Sequence, residues 1–266
     1  MKPKTMAEKA DIHELYEESV QDVETEVDFI TETYENLRGR APRSFREDFC
    51  GTASACCEWV RRDSEAIAVG VDLDEQTLEW GRQHRLSRLS DAQRSRVKLV
   101  EANVLSVDER GFDVVGAFNF SYWTFRTRPE SVDYFRRVYA ALKEDGIFML
   151  DAFGGSEAYE VMTEKTKHER FTYVWDQAEF QPVTGYMRTH IHFKFPDGSR
   201  LKKAFTYEWR LWTLPEIQEL LLEAGFQRAT VYWEGEDDDG EGNGIYAPEA
   251  RGEPDPGWIA YIVAEK

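Results

Sequence analysis

Residues 46–57, REDFCGTASACC, decide how the rest of the chain is interpreted. They follow a strand predicted over residues 44–49 and lead into a helix predicted to end near Arg62, the arrangement of the first turn in a nucleotide-binding α/β fold. A turn that holds a dinucleotide has the spacing G-x-G-x-x-G, whereas only Gly51 stands in this one. The stretch is therefore a degenerate dinucleotide site, an ordinary loop, or a turn for another adenosine ligand.

The elements predicted around this turn indicate a parallel sheet. Apolar segments predict four further strands, over residues 66–73, 97–104, 112–120 and 146–153. Helical spacing lies between them and also before the turn, where one or two helices end near Gly39; the helices after the turn cover residues 74–89 and 130–143. Strands that alternate with helices are typical of a doubly wound α/β sheet.

Residues 156–210 interrupt this alternation. Period-two patterns at 171–180, 185–195 and 200–212 predict antiparallel strands, with a PDGS hairpin turn before the last of them. A helix and two strands, over residues 214–226, 229–235 and 257–266, then complete a predicted sheet of seven strands. The acidic stretch EGEDDDGEGNG, residues 234–244, is predicted to be a flexible loop without a structural element.

The charge balance excludes some partners. A formal net charge of −18, from 33 basic and 51 acidic residues, repels nucleic acids and anionic membranes. The same acidity also fits a protein of a salt-rich cytoplasm. The polar N-terminal residues do not resemble a signal peptide, and no apolar run is long enough to span a bilayer, so we expect a soluble, cytoplasmic protein.

Three cysteines, Cys50, Cys56 and Cys57, lie in the opening stretch. An odd number without a secretory signal indicates a reducing compartment and no disulfide framework. No histidine lies near them in sequence, so we expect no metal site, and Cys56 and Cys57 are interpreted as small buried apolar residues.

Polar residues follow the predicted strands at their carboxyl ends, where open α/β sheets bind ligands. They are Glu47, Asp48 and Thr52 after the first strand, Asp72 after the second, Asn103 after the third, Asn119 after the fourth and Asp151 after the fifth. Gly51 lets the backbone pass close under a ligand. Asp72 follows the turn by about twenty residues, where a carboxylate meets ribose hydroxyls in such folds; alternatively it caps the next helix.

Four segments together resemble the class I S-adenosylmethionine-dependent methyltransferases: EDFCGTA (47–53), VGVDLDEQTLEWGR (69–82), EANVLSV (101–107) and FDVVGAFNFSYWTF (112–125). The resemblance covers roughly residues 44–153 and resumes from residue 211 with the last helix and two strands. It implies a doubly wound, mostly parallel, seven-stranded Rossmann-like methyltransferase fold with S-adenosylmethionine as cofactor. This cofactor has no pyrophosphate, so the turn needs fewer glycines than a dinucleotide site.

The resemblance also implies which residues bind the cofactor. Glu47 and Gly51 match the acid and the central glycine of the family's first motif, whereas Phe49 and Ala53 replace its flanking glycines. Asn103 stands where the family usually has an aspartate, and its amide oxygen can still accept a hydrogen bond from adenine. The complete predicted set is Arg46, Glu47, Cys50, Gly51, Thr52, Asp72, Leu73, Asn103, Val104, Asn119 and Phe120.

Individual roles follow from the same resemblance. Asp72 takes the ribose hydroxyls, Leu73 lies against adenine, and Val104 offers its backbone amide beside Asn103. Asn119 and Phe120 lie near the methionine end and the transferred methyl group. Arg46 is a candidate partner of the cofactor's carboxylate. On this basis the chain divides into a helical lid (1–43), a cofactor-binding core (44–155), an antiparallel lid over the substrate (156–210) and the completion of the core (211–266).

Such insertions resemble those of small-molecule methyltransferases, so we expect a small acceptor methylated on nitrogen, oxygen or sulfur. Aromatic residues near the expected mouth are candidates for binding it, either as an aromatic box for a cation or simply as insertion core. They are Tyr16, Tyr122, Trp123, Tyr207 and Trp209. Tyr122, His190 and His192 are candidate bases, although two histidines two residues apart on a strand are also typical of a solvent-facing pair.

Three other functions are compatible with parts of the pattern. A nicotinamide dehydrogenase needs glycines that FCGTA lacks. Another transferase that uses the same cofactor, such as an aminopropyl transferase, would keep the turn and Asp72. A methyltransferase-like module that binds the cofactor without transferring the methyl group would keep them as well.

Overall fold

A computed structural model describes residues 3–237 and 242–266, and two sheets organise this part of the chain. Its strands are β1 (Ser44–Asp48), β2 (Ile67–Asp72), β3 (Val97–Glu101), β4 (Phe112–Ala117), β5 (Leu142–Gly154), β6 (Met162–Lys167), β7 (Thr172–Gln181), β8 (Tyr186–Lys194), β9 (Arg200–Arg210), β10 (Arg228–Glu236), β11 (Gly242–Pro248) and β12 (Trp258–Glu265). Its helices are α1 (Ile12–Val20), α2 (Val23–Arg38), α3 (Ser54–Arg62), α4 (Glu75–His84), α5 (Asp91–Arg94), α6 (Arg128–Ala141) and α7 (Leu214–Ala224).

The larger sheet has the strand order β11-β10-β12-β5-β4-β1-β2-β3. Strands β1 to β5 are parallel, and β12 joins the sheet antiparallel to β5. The order reverses between β1 and β4, which are both buried along their length. A crevice therefore opens at the carboxyl ends of these two strands, the usual ligand site of a doubly wound sheet. This confirms the predicted α/β fold.

The central sheet has eight strands in the described part of the chain, one more than predicted. The extra strand, β11, pairs antiparallel with β10 at the sheet edge. The prediction of a loop over residues 234–244 was wrong for residues 234–236, which end β10, and for residues 242–244, which begin β11. The Asn243 side chain donates a hydrogen bond to the Glu236 carbonyl, which links the two strands. The polar composition of this stretch gave no indication of the strand pairing. Residues 238–241 lie outside the described residues.

The insertion forms a second, antiparallel sheet of order β6-β7-β8-β9. Its last three strands correspond to the predicted ones. The first, MTEKTK, was not predicted because it is almost entirely polar and lacks an apolar alternation. At the β8–β9 turn, the Asp197 carboxylate accepts hydrogen bonds from the Ser199 and Met6 amides, so the N-terminal segment is attached to the insertion.

The two N-terminal helices lie against both sheets. The Asp11 side chain caps α1 by accepting from the His13 amide, and Gly39, at φ +69°, ends α2 in the left-handed conformation that favours glycine. Leu15 of α1 packs with Phe171 and Phe193 of the insertion. None of the helices in residues 3–237 and 242–266 combines the length and apolar character needed to cross a bilayer.

Candidate active site

The turn after β1 adopts the left-handed backbone conformation that favours glycine, also at positions where it has other residues. Phe49, Gly51 and Ala53 have φ of +60°, +53° and +60°, so all three adopt the left-handed conformation. Holding a residue other than glycine there costs about 1–2 kcal/mol. Phe49 is held by the aromatic rings of Phe125 and Tyr134, and Ala53 is fully buried. Tertiary packing therefore imposes the conformation that glycines give this motif elsewhere.

Gly51 and Asp72 meet at the carboxyl ends of β1 and β2. The Gly51 amide donates a 2.8 Å hydrogen bond to Asp72 Oδ2, and the Asp74 amide donates a 2.9 Å bond to Oδ1. A side chain built at Gly51 would meet no atom within 4 Å, so the turn has free space above it. Asp72 does not cap α4, because that position belongs to Asp74, which accepts from the Gln76 amide. The carboxylate of Asp72 is thus held at the sheet edge without a role as a helix cap.

Leu73 and Asn103 follow β2 and β3, at the same edge of the sheet as this carboxylate. The Leu73 side chain is 69% exposed, an apolar surface next to Asp72. Asn103 is exposed and follows β3; its Oδ1 accepts from the Leu105 amide at 2.9 Å. Val104 is buried, but its amide has no hydrogen-bond partner among the described residues. At the ends of β2 and β3, the Val104 amide and the Asn103 side chain can therefore still donate and accept hydrogen bonds.

Asn119 and Phe120 form a second strained turn, after β4. Both have positive φ, +56° and +57°, and both amides donate to the Asp151 carboxylate, at 2.7 and 2.8 Å. Burial raises the pKa of Asp151 to about 7, and the two amide hydrogen bonds oppose this shift. Asp151, which lies in the buried segment of β5, therefore fixes the turn expected to lie near the transferred methyl group.

Glu47 faces away from Asp48 in β1 and contacts α3. Its Oε2 lies 3.4 Å from the Cys56 thiol, and burial raises the pKa of its carboxyl to about 8. The thiol contact opposes this shift, and the nearby charge of Asp72 adds to it.

Cys50 is buried beside Gly70, where a side chain on that glycine would lie 2.7 Å from the Cys50 sulfur. Cys50 is therefore a packing residue under the turn.

Arg46 differs from its predicted role. It is fully buried, and its guanidinium donates to both carboxylate oxygens of Asp48, at 2.7 and 3.0 Å. The same aspartate accepts from the Tyr134 hydroxyl. Because side chains alternate along a strand, Arg46 points to the opposite face of β1 from Glu47. Its charge is neutralised inside the protein and does not reach a cofactor carboxylate.

Helix α1 covers the first turn. The Glu17 carboxylate accepts hydrogen bonds from the Thr52 and Ser54 hydroxyls and from Arg85 of the segment after α4. On the other side of α1, the Tyr16 ring lies 4.9 Å from that of Phe205 in β9. The Thr52 side chain is therefore bonded to α1, which connects the central sheet to the insertion.

A cavity of about 670 Å³ lies between the ends of β4 and β5, the insertion and the N-terminal helices. Its wall near the core includes Asn119, Phe120 and Asp151, and Trp175 contributes to its wall in the insertion. Three predicted aromatic residues, Tyr16, Tyr207 and Trp209, also line it. The structure thus joins the predicted methyl-transfer turn to the predicted substrate side chains in one space.

The other candidates lie outside this space. Tyr122 is buried, and its hydroxyl donates to the Asp151 carbonyl oxygen at 2.9 Å; Trp123 is fully buried behind Phe153 and Trp209. These two residues support the cavity wall without contacting its contents, contrary to the prediction. The Tyr122 hydroxyl is therefore excluded as a base that contacts the acceptor.

The two histidines of β8 are on the wrong face of the insertion. Ile191, between them, lines the cavity, so His190 and His192 point away from it. His190 Nδ1 lies 2.9 Å from the Thr206 hydroxyl, and His192 Nε2 lies 3.1 Å from Asp176. The prediction of a histidine base is not supported by this geometry.

The sequence interpretation missed several residues of the cavity. Glu26 of α2, Trp175 of β7, and Glu234, Tyr246, Trp258 and Tyr261 of the C-terminal strands all line it. Nothing local to these residues distinguishes them from ordinary surface or core positions. The last four come together because β12 pairs with β5 and is followed in the sheet by β10 and β11, a pairing that depends on contacts distant in sequence.

Residues 48–150, which contain the first turn and Asp72, match the family described as methyltransferase domain. The protein is a methyltransferase. Its cofactor is S-adenosylmethionine, and its fold is that of class I enzymes of this type. The methyltransferase is also similar to YqeM of Bacillus subtilis (strain 168), with 22% identity over 181 residues that cover 67% of this chain and 71% of that one.

Two solved structures share the fold of the methyltransferase. CalS10, an amino pentose methyltransferase of Micromonospora echinaspora in a complex with S-adenosylmethionine, has a TM-score of 0.67 and 16% identity, with 96% of this chain and 97% of that one covered. The sugar N-methyltransferase KedS8 of a Streptoalloteichus species has a TM-score of 0.63 and 16% identity, with 100% and 96% covered. The likeness thus extends over the insertion as well as the core.

The residues at the sheet edge of the methyltransferase fit its cofactor. The space above Gly51, the partly exposed Asp72 carboxylate and the apolar surface of Leu73 suit a sugar and an adenine ring without phosphates. The free amide of Val104 and the Asn103 side chain add the donor and acceptor that an adenine edge requires.

Proposed function

We propose that the methyltransferase transfers a methyl group from S-adenosylmethionine to a small-molecule acceptor held in the 670 Å³ cavity. The observation that carries the proposal is the continuity of this cavity with the Asn119–Phe120 turn. A volume of this order is typical of small-molecule sites. CalS10 and KedS8, which share the fold over nearly the whole chain, act on an amino pentose and a sugar, respectively.

The cofactor supplies a methyl group on a sulfonium centre, a good leaving group. We propose that Asp72, Leu73, Asn103 and Val104 bind its adenosine half, and that Gly51, Glu47 and the Asn119–Phe120 turn surround its methionine half. Much of the rate acceleration then comes from orientation and exclusion of water. The walls formed by α1, the insertion and the C-terminal strands provide both, because they surround the cavity.

The Asp151 carboxylate has a positioning role in this proposal. It holds the amides of the turn in a conformation that Asn119 and Phe120 would otherwise leave. The Phe120 ring, in edge contact with Phe153 and Trp209, then forms a fixed wall between core and insertion. The acceptor atom meets this wall when it approaches the methyl group.

The proposal is tested by calorimetric titration with S-adenosylhomocysteine followed by an acceptor screen with isotopically labelled S-adenosylmethionine. We expect micromolar binding of the product and transfer of label to a low-molecular-weight compound. Binding without transfer to any compound of a broad library would favour a module that holds the cofactor without catalysis. A matched Trp175→Ala variant should keep product binding and lose transfer, because Trp175 lines the cavity from the insertion, away from the first turn and Asp72.

A further inference from the structure

The cavity has an unusual charge pattern. Its ionisable lining side chains are acidic or phenolic: Glu26, Asp151, Glu157, Glu164 and Glu234, with Tyr16, Tyr173, Tyr207, Tyr246 and Tyr261. No lysine, arginine or histidine of residues 3–237 and 242–266 lines it, although the chain has 33 lysines and arginines. An anionic acceptor, such as a carboxylate or phosphate, would find no counter-ion here.

The five carboxylates do not have equivalent environments. Asp151 is occupied by the amides of Asn119 and Phe120, and Glu234 accepts from the Gly244 amide at 2.8 Å. Glu157 and Glu164 are exposed. Glu26, from the first turn of α2, is half-buried and has no hydrogen bond or ion pair with any residue that the structure describes. Glu26 is thus the inner carboxylate that lacks a partner.

The surroundings of Glu26 make this lack of a partner costly. Burial of the carboxyl group raises its pKa well above the ordinary range, and the charges of Glu47 and Asp151 raise it further. A buried carboxylate near two others is stable as an anion only if a cation joins it. The protein itself offers none at this position, so a cation that enters the cavity would stabilise the anionic form of Glu26.

The wall opposite the core is aromatic and suits the apolar part of such a cation. The Tyr207 and Trp209 rings stack with centroids 4.5 Å apart, and the Trp175 ring lies 6.2 Å from that of Trp209. Ring faces attract alkylammonium groups and exclude water from them. A neutral sugar or alcohol would satisfy the rings but not Glu26.

We propose that the acceptor is a small aliphatic amine, bound as its ammonium ion with Glu26 as counter-ion and methylated on nitrogen. This inference rests on the proposed function. The ammonium ion first gives one proton to the Glu26 carboxylate, which frees the nitrogen lone pair. The lone pair then bonds to the methyl carbon while the carbon–sulfur bond breaks and its electrons stay on sulfur. The products are the N-methylammonium ion and S-adenosylhomocysteine, and Glu26 afterwards releases its proton to water.

The test compares pairs of compounds with one carbon skeleton, an amine and its alcohol, such as cyclohexylamine with cyclohexanol and amino sugars with the parent sugars. Tryptophan fluorescence reports their binding to the complex with S-adenosylhomocysteine, because Trp175 and Trp209 line the cavity. We expect at least about ten-fold tighter binding of the amine in one or more pairs. Equal binding of both members in every pair, or binding of neither, would overturn the inference.

Two variants connect the preference to Glu26. Glu26→Gln should remove the amine preference and leave affinity for S-adenosylhomocysteine unchanged. Glu24→Gln, an exposed position in the same turn of α2, should behave as the wild type. If Glu26→Gln instead lowers the affinity for S-adenosylhomocysteine and leaves the affinity for the amines unchanged, Glu26 belongs to the cofactor site and the inference is wrong. Failure of the wild type to bind S-adenosylhomocysteine at all would refute the proposed function separately.

Discussion

The Gly51 amide and the Asp72 carboxylate are joined by a 2.8 Å hydrogen bond that links the ends of two neighbouring strands. The bond fixes the carboxylate while one edge of Asp72 stays accessible. A single residue therefore shapes the first turn and also presents the group expected to take the ribose hydroxyls.

Replacement of Asp72 should abolish tight cofactor binding. Asp72→Ala removes hydrogen bonds between a carboxylate and two hydroxyls, a loss of about 2–3 kcal/mol, or some 30- to 150-fold in affinity for S-adenosylhomocysteine by calorimetry. Asp74→Ala is the matched control. It removes only the cap of α4, so we expect a loss of about 1 kcal/mol in stability and nearly unchanged affinity. Similar affinities for the two variants would remove Asp72 from the site.

A second prediction concerns the contact between α4 and the first turn. A side chain built at Gly81 would lie 2.4 Å from the Thr52 carbonyl oxygen, a backbone atom that cannot move aside easily. Alanine favours a helix by about 1 kcal/mol, but overpacking of this kind costs about 1–3 kcal/mol. Gly81→Ala should therefore lower the free energy of unfolding by up to about 2 kcal/mol and weaken product binding several-fold.

Urea denaturation and the same calorimetric titration measure these two effects. Gln83→Ala, at an exposed position of α4, should change stability by less than about 0.5 kcal/mol. A Gly81→Ala protein that is more stable than the wild type would show that the turn yields to the new methyl group.

Stability should depend on pH through Glu47. Its pKa rises on folding from 4.5 to about 8, chiefly because of burial, so the native state holds this proton more tightly than the unfolded chain. Linkage then requires that the free energy of unfolding falls as pH increases through this range. We expect the protein without ligands to be more stable at about pH 5 than at about pH 8 in urea denaturation series.

The Glu47→Gln variant isolates this contribution. It should reduce the loss of stability between these pH values by roughly 2–4 kcal/mol. Asp151, with its pKa raised to about 7, leaves part of the slope in place. Glu101→Gln, at an exposed position of β3, should keep the full slope. An unchanged slope in Glu47→Gln would contradict the assignment of a proton to this buried carboxyl.

Asp151→Asn tests the support of the Asn119–Phe120 turn. An amide has one oxygen where the carboxylate has two, so one of the two backbone donors loses its acceptor. We expect a loss of about 1–3 kcal/mol in unfolding free energy. Methyl transfer should fall more than product affinity, since the turn positions the reacting groups. A variant that transfers the methyl group at the wild-type rate would show that the turn keeps its conformation without Asp151. Asp133→Asn, exposed on α6, is the control.

Local sequence signals predicted the core well because they depend on neighbouring residues. Gly39 ends helix α2 as expected, and buried apolar strands alternate with amphipathic helices. The strained turn could be located but not described. The identities of Phe49 and Ala53 do not indicate that packing holds their backbones in the left-handed conformation that favours glycine.

The acceptor site could be predicted only in part, because its walls are assembled from distant elements. Strand parity shows that His190 and His192 share a face, but the docking of the insertion decides which face meets the core. Glu26 resembles any acidic residue in the first turn of a helix. Its significance comes from the positions of Glu47 and Asp151, on strands far away in the chain.

Helix α1 has one further consequence. It contacts the cofactor turn through Glu17 and Thr52 and contacts the insertion through Tyr16 and Phe205. A displacement of α1 would therefore change both binding sites at once and would couple the two ligands thermodynamically. By reciprocity, an acceptor that raises the affinity for S-adenosylmethionine would itself bind with higher affinity in the presence of that cofactor. Helix α1, nine residues long, would then carry the coupling between donor and acceptor.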